Sequence, residues 1–430
     1  MDAWLGIDLG STTSKAVIVD EGGLVLGRGI TNTRSNYEVA AQVAEAAALV
    51  DARFLLLQRA LAGTLSAELI TALRRGFGVA ESLWRLGRLR ARTVALVAQA
   101  HPSQTERVDA LFAAMVESAD SIFGPLAFDR SRFFRDAASA PFFAEADSAS
   151  RSGEVEFDVA AAAYDRAIVE VENTEKPPGF EPLLDEALRA GNVSETDAVY
   201  VRRTLKDAVP IRLASMVGTG YGRQRLPFPK ERIQSEILCH GLGAHNMYPG
   251  TRTVLDIGGQ DTKAIQLDEG GLVKSFQMND RCAAGCGRYL GYIADEMNLG
   301  VHELGPLAMR GTRAVKISST CTVFAGVELR ELLSTGERRE NILLGLHRAI
   351  VLRAMSLLAR SGGVRDEFTF TGGVAKNEAA VHCLRGELAR HYGGSGSGGI
   401  QNINIHPDSI YTGALGAALF ARRGSEGAAS

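Results

Sequence analysis

Two aspartates, Asp8 and Asp256, each open the same short string of chemically capable residues. Asp8-Leu-Gly10-Ser11-Thr12-Thr13-Ser-Lys15-Ala-Val-Ile-Val-Asp20-Glu-Gly-Gly-Leu-Val25 recurs without a gap as Asp256-Ile-Gly258-Gly259-Gln260-Asp261-Thr-Lys263-Ala-Ile-Gln-Leu-Asp268-Glu-Gly-Gly-Leu-Val273. Ten of the eighteen aligned positions are identical at a constant offset of 248 residues, which coincidence explains poorly. A glycine-bearing turn lets backbone N–H groups approach an anion. Hydroxyls and Lys15 add donors, and the leading aspartate can hold a metal. Two such turns facing each other, Gly10 to Thr13 and Gly258 to Asp261, would clamp a nucleotide. A third string, Phe370-Thr-Gly372-Gly373-Val-Ala-Lys376-Asn377, turns a strand into a helix through paired glycines. A flat purine needs a backbone surface without side chains, which only glycine provides. Alone the string is an ordinary strand-to-helix turn; after two phosphate hairpins it reads as an adenosine site.

The elements that must position these residues follow from the same repeat. Each copy reads as a strand ending in Asp-x-Gly, a polar turn, a second strand, then Asp-Glu-Gly-Gly closing a hairpin into a third strand. The chain is therefore expected to be α/β, with two related lobes. Residues 1–30 and 207–250 form lobe I in this reading, 31–206 a mostly helical insertion in it, 251–400 lobe II, and 401–430 a C-terminal strand and helix. The insertion is expected from its Ala, Leu, Arg and Glu content and from helically spaced Val39, Val43, Val50, Phe54 and Leu57. Breaks near His101-Pro102, Phe123-Gly-Pro125 and Lys176-Pro-Pro-Gly179 divide it. A strand is expected over 210–217, and helices around 231–243, 288–298, 342–360, from Asn377, and over 411–422. Gly413, Ala414, Gly416 and Ala417 suit the last helix to close packing against a sheet. Gly218-Thr-Gly-Tyr-Gly-Arg223 lacks the Rossmann spacing, and Gly393–Gly399 reads as a surface linker rather than a phosphate loop.

A chain of 430 residues, 46% hydrophobic and 23% charged, is long enough for two or three cores. A formal net charge of −3 argues against nucleic acid or an anionic membrane as the main partner. The first strand begins at once and no apolar run reaches membrane-spanning length, so a cytoplasmic protein is expected. Five cysteines do not resemble a disulfide scaffold; reduced thiols or metal ligands remain.

The strings GIDLGSTTSKAV, GTGYGR, VLDIGGQDTKAI, NDRCAAGCGRYL, ISSTCTVFAGVE, FTGGVAKN and YTGALGAALFA together resemble those of the BadF/BadG/BcrA/BcrD-type ATPases. That family includes ATP-binding subunits of benzoyl-CoA reductase and activators of 2-hydroxyacyl-CoA dehydratases. It lies within the acetate and sugar kinase, Hsp70 and actin superfamily. The resemblance covers residues 1–30 and about 207–423. It implies two ribonuclease-H-like lobes, each with a mixed five-stranded sheet, and ATP in the cleft. Among its members the larger ATP-binding subunit of benzoyl-CoA reductase is similar to this chain in length and in having an insertion; the activators are shorter.

Cys282 and Cys321, taken by themselves, read as buried small hydrophobes. Their place in two strings of the resemblance implies ligands of a 4Fe-4S cluster, with two thiolates from each of two subunits. Both precede helical patterns, whose N-termini favour the negative charge of such a cluster. Cys286, expected one helical turn after Cys282, reads as packing, as do Cys239-His240 and Cys383. By the resemblance, Asp8 and Asp256 organise Mg and the attacking water, and Gln260 orients that water. Lys15 and the turn amides stabilise phosphoryl charge, and Gly372, Gly373 and Asn377 hold the adenosine. The implied activity is that of an ATP-hydrolysing, electron-activating benzoyl-CoA reductase subunit. Its implied partners are ferredoxin, a homologous ATPase subunit and two catalytic acyl-CoA-binding subunits. A dehydratase activator is the alternative within the family, and a small-molecule kinase the alternative outside it.

Overall fold

The computed structural model describes residues 1–33, 36–124, 133–174, 177–208, 210–220, 226–279, 286–317, 322–365, 367–392, 400 and 402–428. The chain separates into two compact units, Met1 with residues 34–212 and residues 2–33 with 213–430.

The first unit is built from helices α1 (Tyr37–Ala60), α2 (Ala67–Ala100), α3 (Thr105–Glu117), α4 (Ala119–Phe123), α5 (Phe134–Arg151), α6 (Phe157–Thr174), α7 (Phe180–Ala190) and α8 (Glu195–Ala208). Asn36 and Ser66 cap α1 and α2 by accepting from amides of the first turn, which satisfies donors a helix start leaves orphaned. The breaks fall where Pro102 and Gly179 precede new helical segments; Pro125 and Lys176 lie outside the described residues. Phe54, Phe77 and Phe180 meet in one core, and Phe112, Phe142 and Tyr164 in another. The face that α1 buries differs from the expected valine stripe. Ala40, Ala41, Ala44, Ala48 and Ala52 are buried with Phe54 and Leu57, whereas Val39, Val43 and Val50 are only partly covered. Small side chains let neighbouring backbones approach, so the alanines rather than the valines turn inward.

The second unit carries both repeats. Strands β1 (Asp2–Leu9), β2 (Thr13–Val19), β3 (Val25–Asn32) and β4 (Arg212–Gly220) form a sheet of order β3-β2-β1-β4. Strands β5 (Thr253–Ile257), β6 (Thr262–Leu267), β7 (Val273–Asn279), β8 (Phe368–Thr371) and β9 (Ile403–Asn404) form a second, of order β7-β6-β5-β8-β9. The repeat holds residue by residue. Asp8 pairs with Lys15 and Asp256 with Lys263, and the hairpins bulge at Ile18/Val19 and at Gln266/Leu267. Lobe I has four strands among the described residues rather than the expected five. Among the described residues, an isolated parallel bridge, Gly218 to Ile233, is the pairing seen on the free side of β4. Pro227 and Pro229 lack the N–H that a longer ladder there would need.

Among the described residues, seven helices accompany these sheets: α9 (Glu236–Met247), α10 (Gly287–Met297), α11 (Val301–Ala308), α12 (Thr322–Ser334), α13 (Arg339–Ser361), α14 (Glu378–Tyr392) and α15 (Thr412–Ala428). The segment expected as one helix from 231 is a short 3-10 turn at Lys230–Arg232, after which α9 starts beyond an extended Ser235. Helix α15 returns to lobe I. A Cβ on Gly6 of β1 would lie 2.0 Å from Ala414 O, and one on Gly416 would lie 1.9 Å from Cys239 O. These glycines let α15 seat against both β1 and α9 at backbone distance.

The lobe II core buries Leu255, Ile257, Tyr289, Ile293, Leu346, Ile350, Phe368 and Phe370. Each large apolar side chain contributes roughly 1.5–3 kcal/mol by leaving water. Against the expectation of no membrane-length apolar run, α13 is 23 residues long and apolar enough to cross a bilayer, but 61% of its apolar window is buried inside the protein. Packing on both sides in the lobe II core accounts for that composition.

Candidate functional site

The two Asp-x-Gly turns come together. A Cβ on Gly259 would lie 2.1 Å from Thr12 Oγ1 and 3.5 Å from Ser11 Oγ, so the second turn faces the hydroxyls of the first. Asp8 and Asp256 close β1 and β5, and both are buried. Ser11 and Thr13 are partly covered and Thr12 is exposed; Gly258, Gly259 and Gln260 form the half-buried second turn. Gly372 follows β8 with φ +89°, and a Cβ there would meet Ile257 O at 2.3 Å and Asp256 Oδ1 at 2.9 Å. Glycine is therefore required where this turn crosses β5, because an L side chain would be strained and would clash. Gly373 has the opposite environment. It is exposed, with nothing within 4 Å of where a Cβ would be, which leaves the open backbone face a planar base needs. Asn377 caps α14, its Oδ1 accepting from Ala379 N at 3.0 Å and Ala380 N at 3.1 Å.

The lysines of the two repeats have different company. Lys15 Nζ lies 4.0 Å from Asp8 Oδ2. Lys263 Nζ sits 2.8 Å from Glu236 Oε1, 2.8 Å from Asp261 Oδ2 and 3.3 Å from Asp256 Oδ2. Burial favours neutral lysine, yet the surrounding Asp256, Glu236 and Asp261 outweigh it and hold Lys263 well above its ordinary range. Burial likewise raises Asp256, but His240, Lys263 and Lys15 reverse that effect and hold its carboxyl below the usual range. Glu236 is pushed up by burial despite Lys263.

Asp8 Oδ1 is buried without a hydrogen-bond partner. An orphaned carboxylate oxygen between two amide-bearing turns is the donor a hard divalent cation takes, so these residues fit ATP with Mg. Cys282 and Cys321 lie outside the described residues, as do Tyr221 to Arg223 and the 393–399 linker. Among the described residues, no group of three or more His, Cys, Asp or Glu side chains could hold a metal ion. The helices that follow the two cysteine-bearing segments touch. A Cβ on Gly326 of α12 would lie 2.6 Å from Tyr292 Oη of α10, and Arg330 pairs with Glu296.

Cys286 is the extended N-cap residue of α10 (φ −140°, ψ 178°) and is buried, so the helix begins after it; its expected spacing from Cys282 lies outside the described residues. Cys383 is buried too, and burial pushes its thiol up to about 11. Sequence reasoning missed Glu236 and His240. They lie one turn apart on α9, and His240, expected simply as core, has Nδ1 3.8 Å from Asp256 Oδ1. The available signal was an acid and a histidine four residues apart just upstream of the second repeat.

Two repeated hairpins closing on a shared polar site, with a glycine turn beside them, define a two-lobed protein with the makings of a nucleotide site. The model of the BadF/BadG/BcrA/BcrD ATPase family matches residues 5–421, and the chain belongs to that family. It is 42% identical over 209 residues to the (R)-2-hydroxyglutaryl-CoA dehydratase activating ATPase of Acidaminococcus fermentans, spanning 49% of this chain and 75% of that protein. It is 35% identical over 186 residues to a benzoyl-CoA reductase subunit of Thauera aromatica, spanning 42% of this chain and 62% of that protein. The crystal structure of Acidaminococcus fermentans (R)-2-hydroxyglutaryl-CoA dehydratase component A matches with a TM-score of 0.53 at 24% identity, covering 99% of this chain and all of that one. That likeness shows a shared fold.

Proposed function

We propose that this chain hydrolyses ATP to drive low-potential electron delivery to a partner acyl-CoA enzyme. One observation carries the coupling. Gly287 N donates to Gly258 O at 2.8 Å and Arg288 N to Gly259 O at 2.7 Å. The second phosphate turn thus holds the first residues of α10, directly after the segment that contains Cys282. In this reading Lys15 and the amides of Gly10 to Thr13 and Gly258 to Asp261 bind the phosphates. Asp8, Asp256 and Gln260 orient the attacking water, and Gly373 with Gly372 and Asn377 receives the adenosine. Release of the phosphate loosens the second turn, and its carbonyls pass the shift to α10.

A four-iron, four-sulfur cluster, when bound by Cys282 and Cys321 of two subunits, would supply the one-electron chemistry. Phe324 and Val327, just beyond Cys321 on α12, are 67% and 50% exposed, an apolar surface suited to the partner that completes such a site. Ferredoxin as donor, a cytoplasmic setting and separate acyl-CoA-binding subunits complete the reading.

Identity and coverage favour a dehydratase activator over the reductase role expected from the sequence. The reductase reading keeps one support, the helical unit inserted between β3 and β4, a feature that the sequence resemblance attaches to the larger reductase subunit. The test is anaerobic purification with iron analysis, then reconstitution with reduced ferredoxin, ATP and the acyl-CoA-binding subunits of a 2-hydroxyacyl-CoA dehydratase or of a benzoyl-CoA reductase. Elimination of water from a 2-hydroxyacyl-CoA supports the first reading and ring reduction of an aromatic acyl-CoA the second; neither reaction sinks both. Cys282→Ser or Cys321→Ser should abolish bound iron, whereas Cys286→Ser should retain it. Full iron content in either of the first two would remove the ligand assignment.

A further inference from the structure

The hydrolytic site contains a buried imidazole with no role in the scheme above. His240 lies on α9, one turn after Glu236, and is buried. Its Nδ1 is 3.1 Å from Thr412 Oγ1 and 3.8 Å from Asp256 Oδ1. Its other face borders Asp8. A Cβ on Gly413 would lie 3.0 Å from His240 Nε2 and 2.8 Å from Asp8 Oδ2, so ring and carboxylate line the same small space. One side chain therefore stands between the leading aspartates of the two repeats, carried by neither repeat.

The hydroxyls around it decide where its proton sits. Thr371 donates to the carbonyl oxygen of Ser409, which can only accept. The 3.2 Å contact between Thr371 Oγ1 and Thr412 Oγ1 then needs Thr412 as donor, because Thr371 has one proton and has used it. Thr412 in turn can only accept in its contact with His240, so Nδ1 carries a hydrogen. The relay begins at Thr371, the residue before Gly372, and ends on α15, which seats on β1. Orientation of the ring is thus set from the adenosine side of lobe II and from the helix that covers lobe I.

We propose that His240 is a positioning residue for ATP hydrolysis. Held by Thr412 with Nδ1 protonated, its ring sets the spacing and orientation of Asp8 and Asp256 across the cleft. This rests on the reading of those two carboxylates as the hydrolytic pair. The surroundings make the role specific. Asp8 and Lys15 approach from β1 and β2, Asp256 and Lys263 from β5 and β6, with Asp261 on the second turn and Glu236 on α9 itself. An apolar residue of similar size would fill the space but give neither carboxylate a fixed neighbour.

The test uses the full chain, with ATPase kinetics, ADP affinity by calorimetry and thermal unfolding measured on each variant. His240→Ala should lower kcat by about tenfold to a hundredfold, the cost of misplacing reacting groups by about 1 Å, with KM and ADP affinity within about twofold. His240→Asn, whose amide can replace the Nδ1 donor, should regain much of the loss. Thr412→Val, which breaks the relay but leaves the ring, should lower kcat by a smaller factor. Wild-type kcat in His240→Ala would overturn the proposal. So would equal losses in the Ala and Asn variants that follow thermal stability and appear in KM, which is the signature of packing alone. If His240→Ala does not fold, the Asn and Thr412→Val variants decide: loss in Asn with no change in Thr412→Val overturns it. Asp256→Asn serves as the reference. If it loses hydrolysis while His240→Ala does not, only this proposal fails; if it retains hydrolysis, the carboxylate reading itself fails.

Discussion

The two hairpins share register, bulge position and the Asp-Lys pair, yet they hold their lysines in opposite ways. In the first copy Lys15 keeps 15% of its side chain exposed and approaches one carboxylate at 4.0 Å. In the second Lys263 is 2% exposed and lies within 3.3 Å of three. Two causes suffice. Thr13 of the first copy aligns with Asp261 of the second, and Glu236 reaches the second copy from α9. The duplicated strand pair has thus diverged: Lys15 keeps one carboxylate neighbour at 4.0 Å, while Lys263 is bound among three and, with His240, holds the Asp256 carboxyl below its usual range.

The sharpest way to break this comparison is to remove each lysine in turn. Lys263→Met should cost about 3–5 kcal/mol of unfolding free energy in urea, because it strands buried carboxylates without their cation. Lys15→Met should cost under about 1 kcal/mol and act on hydrolysis instead. Equal stability losses would show that the two copies are not differentiated.

Asp8→Asn and Asp256→Asn come next. Each should lower ATPase kcat by about a hundredfold, or roughly 2.7 kcal/mol of barrier. Asp256→Asn should also lower the urea midpoint more than Asp8→Asn, since Asp256 lies between Lys263 and His240 whereas Asp8 Oδ1 has no hydrogen-bond partner and Oδ2 meets Lys15 at 4.0 Å.

A third prediction concerns pH. Lys263 is raised on folding, so the stability it contributes is fully present below its ordinary value near 10.5 and is lost as pH rises through the folded value. The alkaline limb of the unfolding free energy should therefore flatten in Lys263→Met and persist in Lys15→Met. Asp256 has the reverse sign. Its contribution is present above its ordinary value near 3.8 and disappears as pH falls through the lowered one, which places its effect on the acid limb.

The smallest expected effect is also the most pointed. Asp261→Thr gives the second turn the residue of the first and should cost about 1 kcal/mol, with Lys263 still held by Glu236 and Asp256. Thermal unfolding that shows no change would leave the capture of the lysine to Glu236 and Asp256.

What the sequence determined by itself was whatever lies in one continuous string. The hairpins, their register, Asp8, Asp256 and the Gly372-Gly373 turn were legible because strand pairing and tight turns are set by neighbours a few residues away. Helices α10, α13 and α14 were legible because their apolar period repeats within a few turns. Tertiary structure alone decided the rest. His240 and Thr412 are 172 residues apart and meet where Gly243 and Gly416 let α9 and α15 pack at backbone distance. Lys15 and Lys263 occupy equivalent positions in related strings, and their difference arises from Asp261 in place of Thr13 and, beyond either string, from Glu236 on a separate helix. Charge state is a property of the surrounding space, and a linear pattern specifies that space only where the chain folds back on its own near neighbours.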